Sequence, residues 1–169
     1  MSDDIRRHFR LLSDYNRAAN SQMYQACEKV SPVRLVESSS APYSTILGLL
    51  EHLIASDDVW LSRFEGETAA QLVEDAGGRS LAELRTARDE IDARIASFVD
   101  DLTTAALNRT FRYKNSKGER LSAPISLLLT HMFNHQTHHR AQVQVLLRAA
   151  GVSGVSLDLH RLIGRPESH

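Results

Sequence analysis

Apolar residues recur every three or four positions through four long stretches of the chain, a spacing that places them on one face of a helix. The charged residues of these stretches fall mostly on the opposite face, as expected of helices with one solvated side. The four stretches are residues 3–30, 44–64, 80–99 and 123–150. The pattern predicts an all-α protein in which four amphipathic helices pack as a four-helix bundle.

The residues at the ends of these stretches are typical of helix boundaries. We expect Ser44 to cap the second helix and Ser122 to cap the fourth, with Pro124 in its first turn. Ser80 is followed three residues later by a glutamate, the capping-box pattern that begins a helix. Gly151 is expected to end the fourth helix.

A short β-hairpin is predicted just before the last long helix. Side chains alternate in polarity over residues 109–114, residues 115–118 have turn chemistry, and residues 119–121 would return as the second strand. The tail after residue 152 carries enough leucine and isoleucine to dock on the bundle. We therefore expect residues 1–169 to form one domain.

Composition excludes several classes of function. The chain has 169 residues with a formal net charge of −1, so no global positive field favours nucleic-acid binding. Its start, Met1-Ser2-Asp3-Asp4, is acidic and lacks the apolar core expected of a secretory signal, and no apolar run is long enough to cross a bilayer. The single Cys27 excludes an intramolecular disulfide and a multi-cysteine zinc site. These features predict a cytoplasmic protein without nucleic-acid or membrane partners.

Four of the eight histidines lie in residues 131–142, inside the fourth predicted helix. On a helical wheel His135 and His139 border the apolar stripe or lie within it, whereas His131 and His138 fall progressively outside it. Two histidines four residues apart on a buried face can hold one metal ion, although they can also be core residues with hydrogen-bond partners. A metal site would need a further ligand from elsewhere in the chain.

Several of these motifs resemble the DinB family over nearly the whole chain. They are residues 49–53 followed by 57–64, the histidine-rich residues 131–142, Tyr15-Asn16-Arg17 with Asn20, and residues 111–115. The resemblance implies a four-helix bundle of the DinB/YfiT-like type, with three histidines around a divalent metal.

Carried over to this sequence, the implied metal ligands are His52, His135 and His139. Glu51 stands where the family often has asparagine, and Ala141 where it often has glycine. The imidazole ligands suit zinc, nickel, iron or copper, and we expect a divalent ion such as zinc, nickel or iron. Since free imidazole has a pKa of ~6.5, we expect metal affinity to fall as the pH drops from about 7 to about 5.

The family is named for DNA-damage-inducible genes, and its wider superfamily includes S-transferases that use bacillithiol, mycothiol or glutathione, and a maleylpyruvate isomerase. An open three-histidine site could acidify water, polarise a carbonyl or deprotonate a thiol. The resemblance thus implies a metal-dependent enzyme of the thiol S-transferase or hydrolase type, with a low-molecular-weight thiol or small electrophile as substrate. The alternative is a non-catalytic metal-binding bundle with a stress-response or structural role. A homodimer is also expected, and no catalytic side chain is assigned.

The polar neighbours of the three histidines have predicted roles of their own. Asp57 lies five residues after His52, so we expect it to point elsewhere and make a structural pair. Gln142 falls close to the row of histidines and is expected to support a ligand. Arg140 points away from that row and is expected at a helix or subunit contact. His131 could line the mouth of the site, and His138 would be partly exposed.

Overall fold

The structure, a computed structural model, describes residues 2–38, 45–66, 78–114 and 117–164. In these residues the chain forms seven helices and two strands. They are α1 (Ser2–Cys27), α2 (Pro32–Leu35), α3 (Ile46–Glu65), α4 (Leu81–Asp101), α5 (Thr104–Asn108), β1 (Thr110–Lys114), β2 (Arg120–Pro124), α6 (Ile125–Ala149) and α7 (Leu159–Ile163). The long helices α1, α3, α4 and α6 confirm the predicted helical bundle.

The four long helices surround one apolar core. Helix α1 packs on α4 and α6, while α3 packs on the same two helices from the other side. Each contributes fully buried side chains, including Met23, Leu49, Leu84 and Leu129. Burial of each such side chain stabilises the fold by about 1.5–3 kcal/mol relative to exposure. In the described part of the chain, no helix combines the length and apolarity needed to span a membrane.

Two of the predicted helix boundaries can be compared directly with the structure. The capping box at the start of α4 is confirmed, because the Ser80 Oγ accepts from the Glu83 N–H at 3.3 Å and the Glu83 carboxylate accepts from the Ser80 N–H at 2.7 Å. At the start of α3 the N-cap is Thr45, whose hydroxyl accepts from the Gly48 N–H at 2.9 Å. The predicted cap, Ser44, lies outside the described residues.

The predicted start of the last long helix, residue 123, is wrong by two residues. Ser122 does not cap it, because Ser122 lies in β2, paired with Arg112. The extended hairpin backbone continues to Pro124, which is the N-cap, and α6 begins at Ile125. Pro124 therefore precedes the first turn, where a residue with fixed φ and no N–H is readily accommodated. At the other end Gly151 has a φ of +92° and closes the helix, as predicted.

The hairpin packs against the end of α3 through aromatic side chains. Strands β1 and β2 are antiparallel, with Phe111 opposite Ala123 and Tyr113 opposite Leu121. Tyr113 contacts Trp60 at a ring-centroid distance of 5.4 Å. The predicted hairpin is therefore confirmed, although two residues of its turn, 115 and 116, lie outside the described residues.

A buried polar layer crosses the middle of the bundle and joins all four long helices. It contains two arginines and two aspartates, so its formal charges cancel. The Arg88 guanidinium lies 2.8 Å from the Asp57 carboxylate and 2.9 Å from the Asp92 carboxylate. Burial raises the pKa of both carboxyls, and Arg88 beside them opposes that rise. The layer consists of Asn16, Asn20, Asp57, Arg88, Asp92, Gln136 and Arg140.

Candidate metal centre

Three histidines meet where α3 faces α6. His52 projects from α3, while His135 and His139 project from successive turns of α6. One ring nitrogen from each of the three lies within 4.8 Å of the others. The ring centroid of His52 lies 5.2 Å from the ring centroid of His135 and 4.7 Å from that of His139. The structure thus brings together the three residues named from the sequence as metal ligands.

The backbone and side chains next to these histidines hold the two helices in register. The Gln136 side chain donates from Nε2 to the carbonyl oxygen of Leu53, at 3.3 Å, and to the carboxylate of Asp57. Leu53 follows His52 in the chain, and Gln136 follows His135. Because the bonded residues are direct neighbours of the histidines, these hydrogen bonds fix how His52 faces His135.

The spacing of the nitrogens fits a shared metal ion. The Nε2 atoms of His52 and His135 are 3.3 Å apart. Two imidazole nitrogens bound tetrahedrally to zinc at about 2.0–2.1 Å would be separated by about 3.3–3.4 Å. When both rings are neutral, the two Nε2 atoms can form a hydrogen bond only if one of them carries a proton. A metal ion between them would instead accept the lone pairs of both nitrogens. The donor set therefore fits a divalent transition metal.

Gln142 orients the third histidine. Its Oε1 lies 2.7 Å from the Nδ1 of His139, one turn along α6. The amide oxygen is an acceptor only, so the Nδ1 of His139 carries the proton and donates it. That tautomer leaves the Nε2 lone pair of His139 available to a metal, the arrangement that outer hydrogen bonds impose on metal-binding histidines. The predicted contact of Gln142 with a ligand histidine is thus present.

The electrostatics of the cluster favour neutral rings. Burial, with a smaller contribution from the neighbouring His139, lowers the pKa of His52 to about 4. Burial, again with help from the other histidines, lowers the pKa of His135 to about 3. Burial also lowers the pKa of His139. At neutral pH all three imidazoles are therefore in the form that binds metals. Protons should compete with a metal for these nitrogens at a lower pH than the range of about 7 to 5 expected from the sequence.

The other two histidines of the motif lie at the edge of this cluster. His131 is exposed, with its ring 6.0 Å from that of His135 and 5.6 Å from that of Trp60. His138 is exposed as well, with its ring 5.0 Å from that of His139. Among the described residues, neither belongs to the group whose ring nitrogens converge. Their places agree with the predicted rim positions.

The remaining predicted neighbours are structural. Asp57 is buried and paired with Arg88, as the sequence led us to expect. Arg140 lies at a helix contact, where it bonds to Asn16 of α1. Glu51 pairs with Arg79 at 3.0 Å and so directs its carboxylate away from the three histidines. Among the described residues, the glutamate at position 51, where the family often has asparagine, therefore does not join the group of three histidines.

Gln136 is the functional-site residue that sequence reasoning missed. It is fully buried, and it links the histidine-bearing turns of α3 and α6. Its signal was present in the sequence, because a glutamine at the centre of the apolar stripe must find partners inside the bundle. Cys27, by contrast, is fully buried in the core, as expected. Burial raises the pKa of its thiol to about 12.

Comparisons with known proteins agree with these observations. A family model described as the DinB family matches residues 1–166. The chain is 25% identical over 154 residues to Protein DinB of Bacillus subtilis (strain 168), an alignment that covers 87% of this chain and 88% of the relative.

Two solved structures share the fold. One is a DinB-like protein from Bacillus cereus ATCC 10987, with a TM-score of 0.62 and 21% identity, covering 83% of this chain and 92% of that one. The other is a DinB-like protein from Bacillus subtilis, with a TM-score of 0.61 and 17% identity, covering 86% of this chain and 95% of that one.

Proposed function

Because this chain belongs to the DinB family, we propose that it binds one divalent metal ion through His52, His135 and His139 and acts as a metal-dependent enzyme. The observation that carries the proposal is the convergence of three ring nitrogens within 4.8 Å. A shared ion would satisfy these neutral imidazoles on facing helices, since each brings a polar nitrogen into a partly apolar interior.

The protein's own residues prepare this site without a metal present. Burial keeps the rings of His52 and His135 neutral at physiological pH. Gln142 sets the tautomer of His139, and Gln136 maintains the spacing between the two helices. A site whose rings are already neutral and oriented loses little free energy to proton release or reorientation when a metal binds.

The proposed chemistry follows from the ligand set. Three neutral ligands leave the full charge of a divalent ion uncompensated, so a bound metal would act as a Lewis acid towards water, a carbonyl or a thiol. In the described residues no aspartate, glutamate or cysteine joins the group, and His52 and His135 are only half-buried. Because two of the three rings are partly open to solvent, a substrate or water could reach a bound metal, which favours an enzyme over a sealed structural site. We propose an S-transferase or hydrolase, acting with a low-molecular-weight thiol or on a small electrophile.

Metal analysis of the purified protein is the first test. The wild type should carry about one equivalent of zinc, nickel or iron by mass spectrometry, whereas His52→Ala, His135→Ala and His139→Ala should each lose most of it. His138→Ala is the matched control, because His138 lies on the same helix but outside the converging group. Full metal content in all three ligand variants would contradict the proposed site.

A screen for turnover separates the enzyme from the non-catalytic alternative. The metal-loaded protein is assayed for thiol transfer from small thiols to electrophiles and for ester and amide hydrolysis. Activity that is lost with chelator and in His135→Ala supports the enzyme. A protein that holds its metal through the three histidines yet turns over none of these substrates would instead be a metal-binding bundle with a structural or stress-linked role.

A further inference from the structure

A cavity separate from the three-histidine site is lined by three arginines. It has a volume of about 520 Å³ and lies between the carboxyl-terminal half of α6 and residues 154–158, which lead into α7. We name it the arginine cavity, after Arg140, Arg148 and Arg161 in its walls. None of the proposed metal ligands lines it. Its size is in the range of small-molecule sites, about 300–1,000 Å³.

Arg140 is a buried cation without a carboxylate at hydrogen-bond distance. Its side chain is 1% exposed. The oxygens that it contacts are all neutral ones, of the amides of Asn16, Asn20 and Gln136 and of the hydroxyl of Thr137. Its Nε has no hydrogen-bond partner among the described residues. Asp57 and Asp92 of the buried polar layer balance its charge without a direct contact, and Arg140 still contributes a positive group to the inner wall of the cavity.

The other two arginines lie at the solvent side of the cavity. Arg161 is exposed and forms an ion pair with Asp158 at 3.3 Å, a contact of the kind that contributes less than about 1 kcal/mol. Arg148 is exposed as well, and its side chain pairs with no residue that the structure describes. With three arginines and one aspartate, the lining of the cavity has a formal charge of +2.

The neutral polar groups of the lining are already used to build the wall. The Tyr15 hydroxyl donates to the carbonyl of Leu157 at 2.8 Å, and the Gln144 amide donates to the carbonyl of Val155 at 2.8 Å. These bonds hold residues 154–158 against α1 and α6. The side-chain donors that remain for a ligand are therefore mainly the guanidinium groups of Arg148 and Arg161, whose planar forks match the geometry of carboxylate and phosphate.

We propose that the arginine cavity binds the phosphate or carboxylate group of a small anionic ligand. Arg148 and Arg161 bind the anion directly at the mouth, and Arg140 adds its positive charge from the inner wall. The site is independent of the proposed metal centre, so the molecule has two separate places for small ligands.

Titration calorimetry with the full chain tests the proposal, with inorganic phosphate, glycerol phosphate and acetate as separate ligands at constant ionic strength. We expect saturable binding of at least one of them, weakened about tenfold or more in Arg148→Gln, as for loss of one charge-assisted hydrogen bond. Arg161→Gln should weaken it as well. Tighter binding of the phosphates identifies a phosphoryl ligand, and tighter binding of acetate identifies a carboxylate.

Two controls make the result specific. Arg34→Gln removes an exposed arginine that does not line the cavity and that pairs with Glu37 at the same i, i+3 spacing as the Arg161–Asp158 pair. It should leave anion binding unchanged. The His52→Ala variant in chelator should also bind the anion as the wild type does, which excludes an anion held by metal.

Three results would overturn the proposal. They are no binding of any of the three ligands below about 10 mM, binding that Arg148→Gln does not weaken, and binding that is lost equally in Arg34→Gln. Both arginines at the mouth are exposed, so their variants should melt within a few degrees of the wild type in chloride. The signals of residues 154–158 in amide NMR spectra should shift on binding.

Discussion

The metal-free protein should lose stability on mild acidification because of its histidine cluster. The pKa of His52 is lowered to about 4 and that of His135 to about 3, mainly by burial. In the unfolded chain both return to about 6.5. Between these values the unfolded state binds more protons than the folded state, so the free energy of unfolding falls as the pH is lowered. The loss begins near pH 6.5 and continues until the folded rings protonate.

The size of the effect follows from the interval between the folded and unfolded pKa values. At about pH 5 each ring could cost up to about 2 kcal/mol, since one pKa unit corresponds to 1.36 kcal/mol. Both rings are half-buried, and water screens the penalty of charging them. Allowing for this screening halves each contribution, so the two rings together should lower the free energy of unfolding by about 2 kcal/mol between about pH 7.5 and pH 5.

Urea unfolding in the presence of chelator measures this loss at a series of pH values. The His52→Gln/His135→Gln double variant lacks both groups and should lose about 2 kcal/mol less than the wild type over that range. Carboxylates such as Asp57 titrate in both proteins, so their contribution cancels in the difference. His138→Gln, which removes an exposed histidine, should follow the wild type. Parallel curves for the wild type and the double variant down to pH 5 would refute the reasoning.

Three further predictions concern single contacts and the assembly. Gln142→Ala should lower metal affinity about 10–100-fold in competition titrations with little change in melting temperature, and an unchanged affinity would remove its orienting role. Asp57→Ala should lower the free energy of unfolding by about 3–5 kcal/mol in urea, because the buried Arg88 then keeps only one of its two carboxylate partners and Gln136 loses an acceptor. Asp58→Ala removes a more exposed carboxylate and should cost less than about 1 kcal/mol. Light scattering should give twice the chain mass of 18.9 kDa, and a monomeric wild type would exclude the homodimer. The double variant Leu127→Asp/Val145→Asp, which places charges at exposed apolar positions of α6, should reduce the measured mass to that of one chain.

Helical periodicity was enough to find two of the three histidines of the cluster. The i, i+4 spacing places His135 and His139 on one side of one helix, because local geometry fixes that relation. His52 is 83 residues away from His135 in the chain. No local rule relates two helices so far apart, and only the family resemblance pointed to it.

The polar layer shows where sequence reasoning ends. The sequence assigned Asp57 and Arg140 to structural contacts but did not predict that they belong to one polar layer. A helical wheel shows which face of a helix a residue occupies and does not show its partner on another helix. Gln136 was passed over since its neighbours on the wheel are apolar. The start of α6 was misplaced for a related reason, because Ser122 is a good cap by type, but its backbone is committed to the hairpin.

The buried polar layer also has a consequence for the order in which the chain can fold during synthesis. The amino-terminal helices α1, α3 and α4 emerge first and bring two aspartates but a single arginine, Arg88, to the layer. Arg140, which contacts Asn16 across 124 residues of sequence, is made much later. Until then the nascent bundle carries an excess negative charge that cannot be buried without a large desolvation cost. The first three helices should therefore stay hydrated and loosely packed on the ribosome, and a dry interior should form only after α6 has emerged.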